Sequence, residues 1–435
     1  MGFRAHDCTT FRVYEHHVCF INYDCLHCSC LLPPSPASTS AHAGEWRPRR
    51  TLALSDVDAP LHLDPSPPKT ISPMRDARHT RFDTIELNTH NDVLDCVSRL
   101  EPKTDDIDAE PPQIHNLTIN VGAIPKPFAT SFSSRVFNHA TCSSMQKLAF
   151  ANAEEFLRSD HNFAEGFARL TALRTLLIEN IGKDACWMLL NMQSSLRTAE
   201  LCFHTPSQEL SEDAPLANPL SLLRSSQSTL ERVKLVGGGT EATPFTYPRV
   251  TTLVLERVHA PRTLDYIHAF PNLRHLSITG ARFTDLADDG PCTCFVTQRE
   301  ANVADQGEHG EWATLDSVTG GVLDVYALGL RTSVTRLALT GRAEGCWDAP
   351  FAAVLDDVNP EELQVTTTCG AVVRSGEGFA AALCAERDWP LVTLCAVLEV
   401  GCVDTPEDVQ DALVRTATFL ACGSVLMIFT TGDYC

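Results

Sequence analysis

The feature that most limits what this chain can fold into is a short aliphatic spacing that returns along most of its length. It is clearest in Ala269–Gly280, AFPNLRHLSITG, where Leu273, Leu276 and Ile278 are spaced L-x-x-L-x-I. Leu276 and Ile278 are two apart, so on a strand they share a face. Leu273 stands where the chain bends into the strand. Pro271 lacks an N–H and fixes φ, which suits the entry rather than the strand itself. One strand cannot bury its own apolar side. Each buried aliphatic side chain contributes roughly 1.5–3 kcal/mol, and a stack of similar units supplies the layer that buries it.

The same spacing occurs at Ile114/Leu117/Ile119, Met145/Leu148/Phe150, Leu173/Leu176/Ile178, Leu196/Ala199/Leu201, Leu230/Val233/Leu235, Val250/Leu253/Leu255 and Val334/Leu337/Leu339. From Ile114 to Leu273 the first positions are 20 to 34 residues apart. Leu363-x-Val365 and Leu391–Val400 are worn copies, and Phe82, Ile85 and Leu87 in RFDTIEL open the series. The longer gap from Leu273 to Val334 has room for one more degenerate unit near Trp312–Val318. It also holds the polar, acidic stretch Asp285–Glu311, read as a loop. Helical patterns lie between the strands at Asn91–Leu100, with Asn91 as N-cap, and at Ala153–Phe167, Lys183–Met192, Arg262–Ala269, Gly378–Arg387 and Pro406–Phe419. Strands alternating with helices imply parallel pairing through crossovers. Alternate strand positions are often polar, as in Asn116/Thr118, Arg232/Lys234 and His275/Ser277, so one sheet face meets solvent. The expected architecture is α/β: a leucine-rich-repeat-like curved solenoid over residues 80–435, with a parallel concave sheet and outer helices. Within residues 1–75 the segment 31–73, with LLPPSPASTS and DPSPPKTISP, lacks apolar periodicity, and 1–75 reads as a disordered or poorly structured N-terminal segment.

Charge and cysteine usage narrow the function classes. A formal net charge of −21 disfavours nucleic acid and anionic membrane surfaces as partners. The 18 cysteines are mostly single and sit in apolar segments, as with Cys96, Cys186, Cys202, Cys384 and Cys422, which is how free thiols behave as small core residues. Asp24 and His27 interrupt the apolar run Val18–Leu32, so no signal peptide is read. The run Phe419–Phe429 is too short to span a bilayer and reads as a last strand. A cytoplasmic or nuclear location is expected. Cys25-x-x-Cys28 offers one zinc pair and His16 or His17 with Cys19 a second, but no downstream C-x-x-C or H-x-x-x-H completes the usual spacing, so no metal is assigned. Gly237-Gly238-Gly239 follows a strand but lacks the Lys-Ser/Thr of a phosphate loop, and Pro244 argues against the helix that should follow. It reads as a repeat turn. No catalytic motif and no cofactor signature is present, and the chain reads as a non-enzyme.

AFPNLRHLSITG and TYPRVTTLVLERV resemble the irregular leucine-rich repeats of fungal F-box proteins, in which an aromatic-Pro pair often precedes the strand. RFDTIELNTHNDVLDCVSRL is similar to the strand and helix that often follow the F-box there. The repeats lack the regular ladder Asn, whose place is taken by Gly122, Ile181, Val258, Ala281 and Arg342. The F-box, a short helical module opening Leu-Pro-x-Glu, is not found: Leu32-Pro33-Pro34 runs into Ser-Pro-Ala-Ser-Thr-Ser. The resemblance implies a protein partner held on the concave face, and docking to the linker subunit of a cullin-type ubiquitin ligase. A stand-alone leucine-rich-repeat scaffold is the alternative. In this frame one concave row is Asn116, Lys147, Thr175, Thr198, Arg232, Thr252, His275 and Arg336. A second is Thr118, Ala149, Leu177, Glu200, Lys234, Val254, Ser277 and Ala338. Arg232, Lys234, His275, Ser277 and Arg336 are the candidate partner-binding residues, with the cations suited to an acidic or phosphorylated peptide.

Overall fold

A computed structural model of the chain describes residues 20–22, 82–100, 113–137, 142–203, 218–239, 241–282, 291–341, 348–368, 372, 382, 393–400, 411–412 and 425–431. By internal contacts the chain divides into residues 1–24 with 80–435, and residues 25–79. The elements below belong to the first unit. The expectation for residues 1–75 lies outside the described residues except at Phe20–Asn22. So does the Cys/His cluster around residues 16–30 with the same exception, and so do the helices expected at Gly378–Arg387 and Pro406–Phe419 apart from three residues.

Each L-x-x-L-x-L unit forms a strand. The strands are β1 (Phe20–Asn22), β2 (Phe82–Leu87), β3 (Ile114–Ile119), β4 (Lys147–Phe150), β5 (Thr175–Ile181), β6 (Thr198–Phe203) and β7 (Arg232–Val236). They continue as β8 (Thr252–Glu256), β9 (His275–Thr279), β10 (Thr314–Gly321), β11 (Ser333–Gly341), β12 (Glu362–Thr368), β13 (Thr393–Val400) and β14 (Val425–Thr431). All belong to one 14-stranded sheet whose order from β2 to β14 is the order of the sequence. Neighbours from β2 to β14 pair in parallel, and β1 adds to β14 antiparallel. β2 and β1 are the two edges, so the sheet does not close into a barrel.

The register carries one aliphatic position straight across the sheet. Leu117, Leu148, Leu176, Ala199, Val233, Leu253, Leu276, Val318, Leu337, Leu363 and Leu394 are successive partners, and all are buried. The degenerate unit near Trp312–Val318 is β10, with Trp312, Leu315 and Val318 buried. At the strand starts the backbone makes a repeating rung. Arg174 and Thr175 donate N–H groups to Gln146 O, Arg197 and Thr198 to Arg174 O, and Glu231 and Arg232 to Arg197 O. Thr251 and Thr252 then donate to Glu231 O, and Arg274 and His275 to Thr251 O. The L-x-x-L bend thus lets two successive amides share one carbonyl, which satisfies donors that would otherwise be orphaned.

The helices cover the apolar side of the sheet. They are α1 (His90–Arg99), α2 (Lys126–Val136), α3 (Ala153–Arg158), α4 (His161–Ala168), α5 (Lys183–Leu190) and α6 (Pro219–Leu222), then α7 (Thr263–Ala269), α8 (Pro291–His309), α9 (Val322–Leu328) and α10 (Asp348–Val358). Phe132, Phe150, Phe156, Phe163 and Phe167 fill the space between α2, α3, α4 and β4, with Phe156 stacked on Phe163 at 4.7 Å.

Three local expectations change. The cap of α1 is Thr89 rather than Asn91. Thr89 Oγ1 accepts from Asp92 N at 3.3 Å while Asp92 Oδ2 accepts from Thr89 N at 2.8 Å, a reciprocal capping box. The single helix expected over Ala153–Phe167 is two, because Asp160 caps the second through Asn162 N at 3.0 Å. Asp favours that position over a helix interior. The stretch Asp285–Glu311 is no loop over Pro291–His309, where α8 forms. Its buried face carries Asn302 and Gln306, so it lacks the aliphatic period by which a helix is recognised.

Candidate binding face

The face of the sheet turned away from the helices is lined by the alternate strand positions. The first expected row is continuous in register: Asn116, Lys147, Thr175, Thr198, Arg232, Thr252 and His275 are successive partners. It continues through Ser317 to Arg336 and Glu362. The second row likewise runs from Thr118 to Ser277, then through Thr319 to Ala338 and Gln364. Ser317, Thr319, Glu362 and Gln364 are absent from the rows read from sequence. The first two lie on the degenerate strand β10, where Trp312, Leu315 and Val318 keep only part of the pattern.

The five candidate residues share this face but not one electrostatic state. Lys234 Nζ lies 2.9 Å from Glu200 and 3.1 Å from Glu256. The hydrogen bond that its ammonium donates to Glu200 raises its pKa above the ordinary lysine value. Arg336 Nε donates to Glu362 Oε2 at 2.8 Å. His275 Nδ1 lies 2.9 Å from Ser317 Oγ, and Ser277 is half-buried between Val254 and Thr319. Arg232 is exposed and makes no ion pair among the described residues. The sheet's own carboxylates therefore occupy two of the expected cations. Glu256 was not among the residues read as facing outward; its place follows from extending the same alternation past Val254.

The end of the sheet at the strand C-termini carries polar groups with structural work. Asn120 Nδ2 donates to Asn88 Oδ1 at 2.6 Å, and Asn180 Nδ2 to Asn152 Oδ1 at 2.7 Å and Ala151 O at 3.0 Å. Side-chain amide pairs thus link the end of β2 to the end of β3, and the end of β4 to β5. Glu154 accepts from Asp184 N at 3.0 Å and Ala185 N at 3.2 Å, capping α5. Asp324 accepts from Gly280 N at 2.9 Å and Ala281 N at 2.8 Å. Gly237 and Gly238 have φ of 70° and 74°, and the ladder continues past them through a bridge from Gly239 to His259. This is a repeat turn with left-handed backbone.

Burial pushes the Cys96 and Cys186 thiols up to about 11, and the Cys202 and Cys395 thiols upward too. These thiols are not poised as nucleophiles. Among the described residues, no group of three or more His, Cys, Asp or Glu is placed to hold a metal. Nor, among those residues, is any helix long and apolar enough to cross a membrane. A cavity between β2 and α1, about 150 Å³ and lined by Ile85, Leu87, Cys96 and Leu100 among others, is not formed by the candidate residues. No family model matches the chain, and no curated protein matches it.

Proposed function

We propose that the chain is a leucine-rich-repeat-like solenoid that binds a protein partner on its open sheet face, in the manner of the recognition part of F-box adaptors. The observation that carries this reading is the in-register open face. One side of the sheet holds the whole aliphatic row, while the other keeps one row of hydroxyl, amide and charged groups and a second that mixes polar with small and aliphatic ones, free of any covering element among the described residues. Such a face offers a wide, rigid set of side chains and little chemistry of its own, which suits recognition. Arg232, His275, Ser277 and the Arg336–Glu362 pair are its polar contacts, while Lys234 serves the sheet. The cysteines, mostly single and set in apolar segments of the sequence, suit a reducing intracellular location. Attachment to a cullin-type ligase rests on the resemblance of the repeats.

A photo-crosslinking amino acid at Ser277 tests the reading, with one at Glu300 on α8 as the helix-side control. A discrete adduct formed in cells from Ser277 and not from Glu300 is the expected result. Equal labelling from both, or labelling from Glu300 alone, removes the open face as the binding surface. Copurification with the ligase linker subunit separates an adaptor from a stand-alone scaffold.

A further inference from the structure

The strand N-termini of β4–β7 bring cations together in a protein whose net charge is −21. Lys147 opens β4, Arg174 and Arg197 immediately precede β5 and β6, and Arg232 opens β7; all four are exposed. They are held side by side by the rungs, because Arg197 N donates to Arg174 O at 2.8 Å and Arg232 N to Arg197 O at 3.0 Å. Two more exposed arginines flank them. Arg224 reaches the Leu190 carbonyl at 3.1 Å, and Arg249 lies in the turn before β8. Against these stands Glu231, 3.8 Å from Arg197. Lys147, Arg174 and Arg232 make no ion pair among the described residues. At the opposite end of these strands stand Glu154, Glu179 and Asp184, and Glu256 ends the next strand, β8; Glu154 is already used to cap α5.

We propose that this basic rim is the docking point for a short acidic segment, rich in Asp and Glu, of the protein partner; the proposal rests on the protein-binding reading above. Strands are about 4.8 Å apart, so Lys147 to Arg232 covers about 14 Å, the reach of about four or five extended residues. At physiological salt, charges more than about 8 Å away are largely screened, so the rim acts on a ligand as a cationic surface despite the acidic whole. A short segment stays within that range. A long polyanion such as nucleic acid runs out of the rim and meets the acidic remainder, which repels it. Arginines on a rigid sheet suit carboxylates, since their forks donate two parallel bonds.

The test uses the full chain and a fluorescein-labelled hexaglutamate peptide, read by anisotropy at low salt. The peptide is expected to bind, more weakly as salt rises. The triple variant Arg174→Glu/Arg197→Glu/Arg232→Glu is expected to bind it roughly tenfold or more weakly. The control Lys183→Glu/Arg257→Glu, at the other end of the strands, is expected to bind as the parent does. Should the triple variant lose its circular dichroism signal, the single variants Arg174→Gln and Arg232→Gln carry the test, each expected to weaken binding by a measurable factor. Failure of hexaglutamate to bind, or equal binding by the rim variants, overturns the proposal. So does tighter binding of an oligothymidylate of equal charge, which assigns the rim to nucleic acid. Salt-sensitive self-association lost in the triple variant also overturns it, since the occupant is then another copy's acidic end. If the crosslinker at Ser277 still captures its partner while hexaglutamate fails, only the rim assignment falls. If Ser277 captures nothing, the protein-binding reading falls with it.

Discussion

Lys234 shows how a residue that reads as a binding group can belong to the scaffold. Its ammonium lies between Glu200 on β6 and Glu256 on β8, the two strands flanking β7. Without it, two carboxylates face each other across one strand, and like charges so placed repel. Lys234→Met is expected to destabilise the fold by about 1 kcal/mol at neutral pH, read from denaturant midpoints. The pH dependence has a definite sign. The folded-state pKa of Lys234 is raised, so its stabilisation is fully present below the ordinary lysine value and is lost as pH rises through the raised one. The gap between parent and variant should close in that alkaline window. A gap that persists there assigns the effect to packing of the lysine stem. Asp92 runs the other way. Hydrogen bonds from Thr89 and Asn88 lower its pKa, so its contribution to the α1 cap is lost as pH falls through that lowered value. Removing the carboxylate as Asp92→Asn should abolish this acid-side loss, followed by the backbone amide shifts of Thr89 and Asp92.

Among the elements, α8 was the least legible from sequence, for a reason that lies in its polar core. Asn302 is buried, donates to Pro261 O at 3.0 Å and Ala327 O at 2.8 Å, and accepts from Thr263 N at 3.1 Å. Gln306 donates to Gly329 O at 2.8 Å. The helix binds the ends of α7 and α9 by satisfying their backbone groups, and side chains chosen for that task leave no aliphatic period. The strands were legible because the opposite holds: Leu276, Leu337 and their partners are selected for burial alone, at a spacing only a strand entry explains. A loop would tolerate Asn302→Ala within about 0.5 kcal/mol. The helix predicts a loss of about 3 kcal/mol or more, since three buried backbone groups lose their partner at about 1–3 kcal/mol each. Thermal or urea unfolding of that variant decides between them. The turn after β7 gives a second check. A Cβ on Gly237 would sit 2.9 Å from Phe203 O, at a φ of 70°, so Gly237→Ala should cost about 1–2 kcal/mol, more than Gly239→Ala, where nothing lies within 4 Å.

At the scale of the whole sheet, strand order equals sequence order from β2 to β14, so each of these units is joined by hydrogen bonds to the units just before and after it. That order was legible from the recurrence of one spacing. The two polar rows were legible too, since a period of two fixes which residues turn outward. The charge pairing on those rows was not, because Lys234 meets Glu200 and Glu256 only once the register is known, and the spacings between units vary too much to count across. The basic rim was hidden for the same reason: Lys147, Arg174, Arg197 and Arg232 are far apart in the chain and become neighbours through the strand register and its rungs. An array coupled only to nearest neighbours responds locally to damage. Leu337 is buried on β11, between Val318 on β10 and Leu363 on β12. Leu337→Ala removes that contact and leaves a cavity, at a cost of about 2–5 kcal/mol. Amide exchange should then rise in β10, β11 and β12 and stay at parent rates in β3, β4 and β5. A rise of equal size in both groups would mean that the sheet opens as one cooperative unit, and the repeat picture of its energetics would fail.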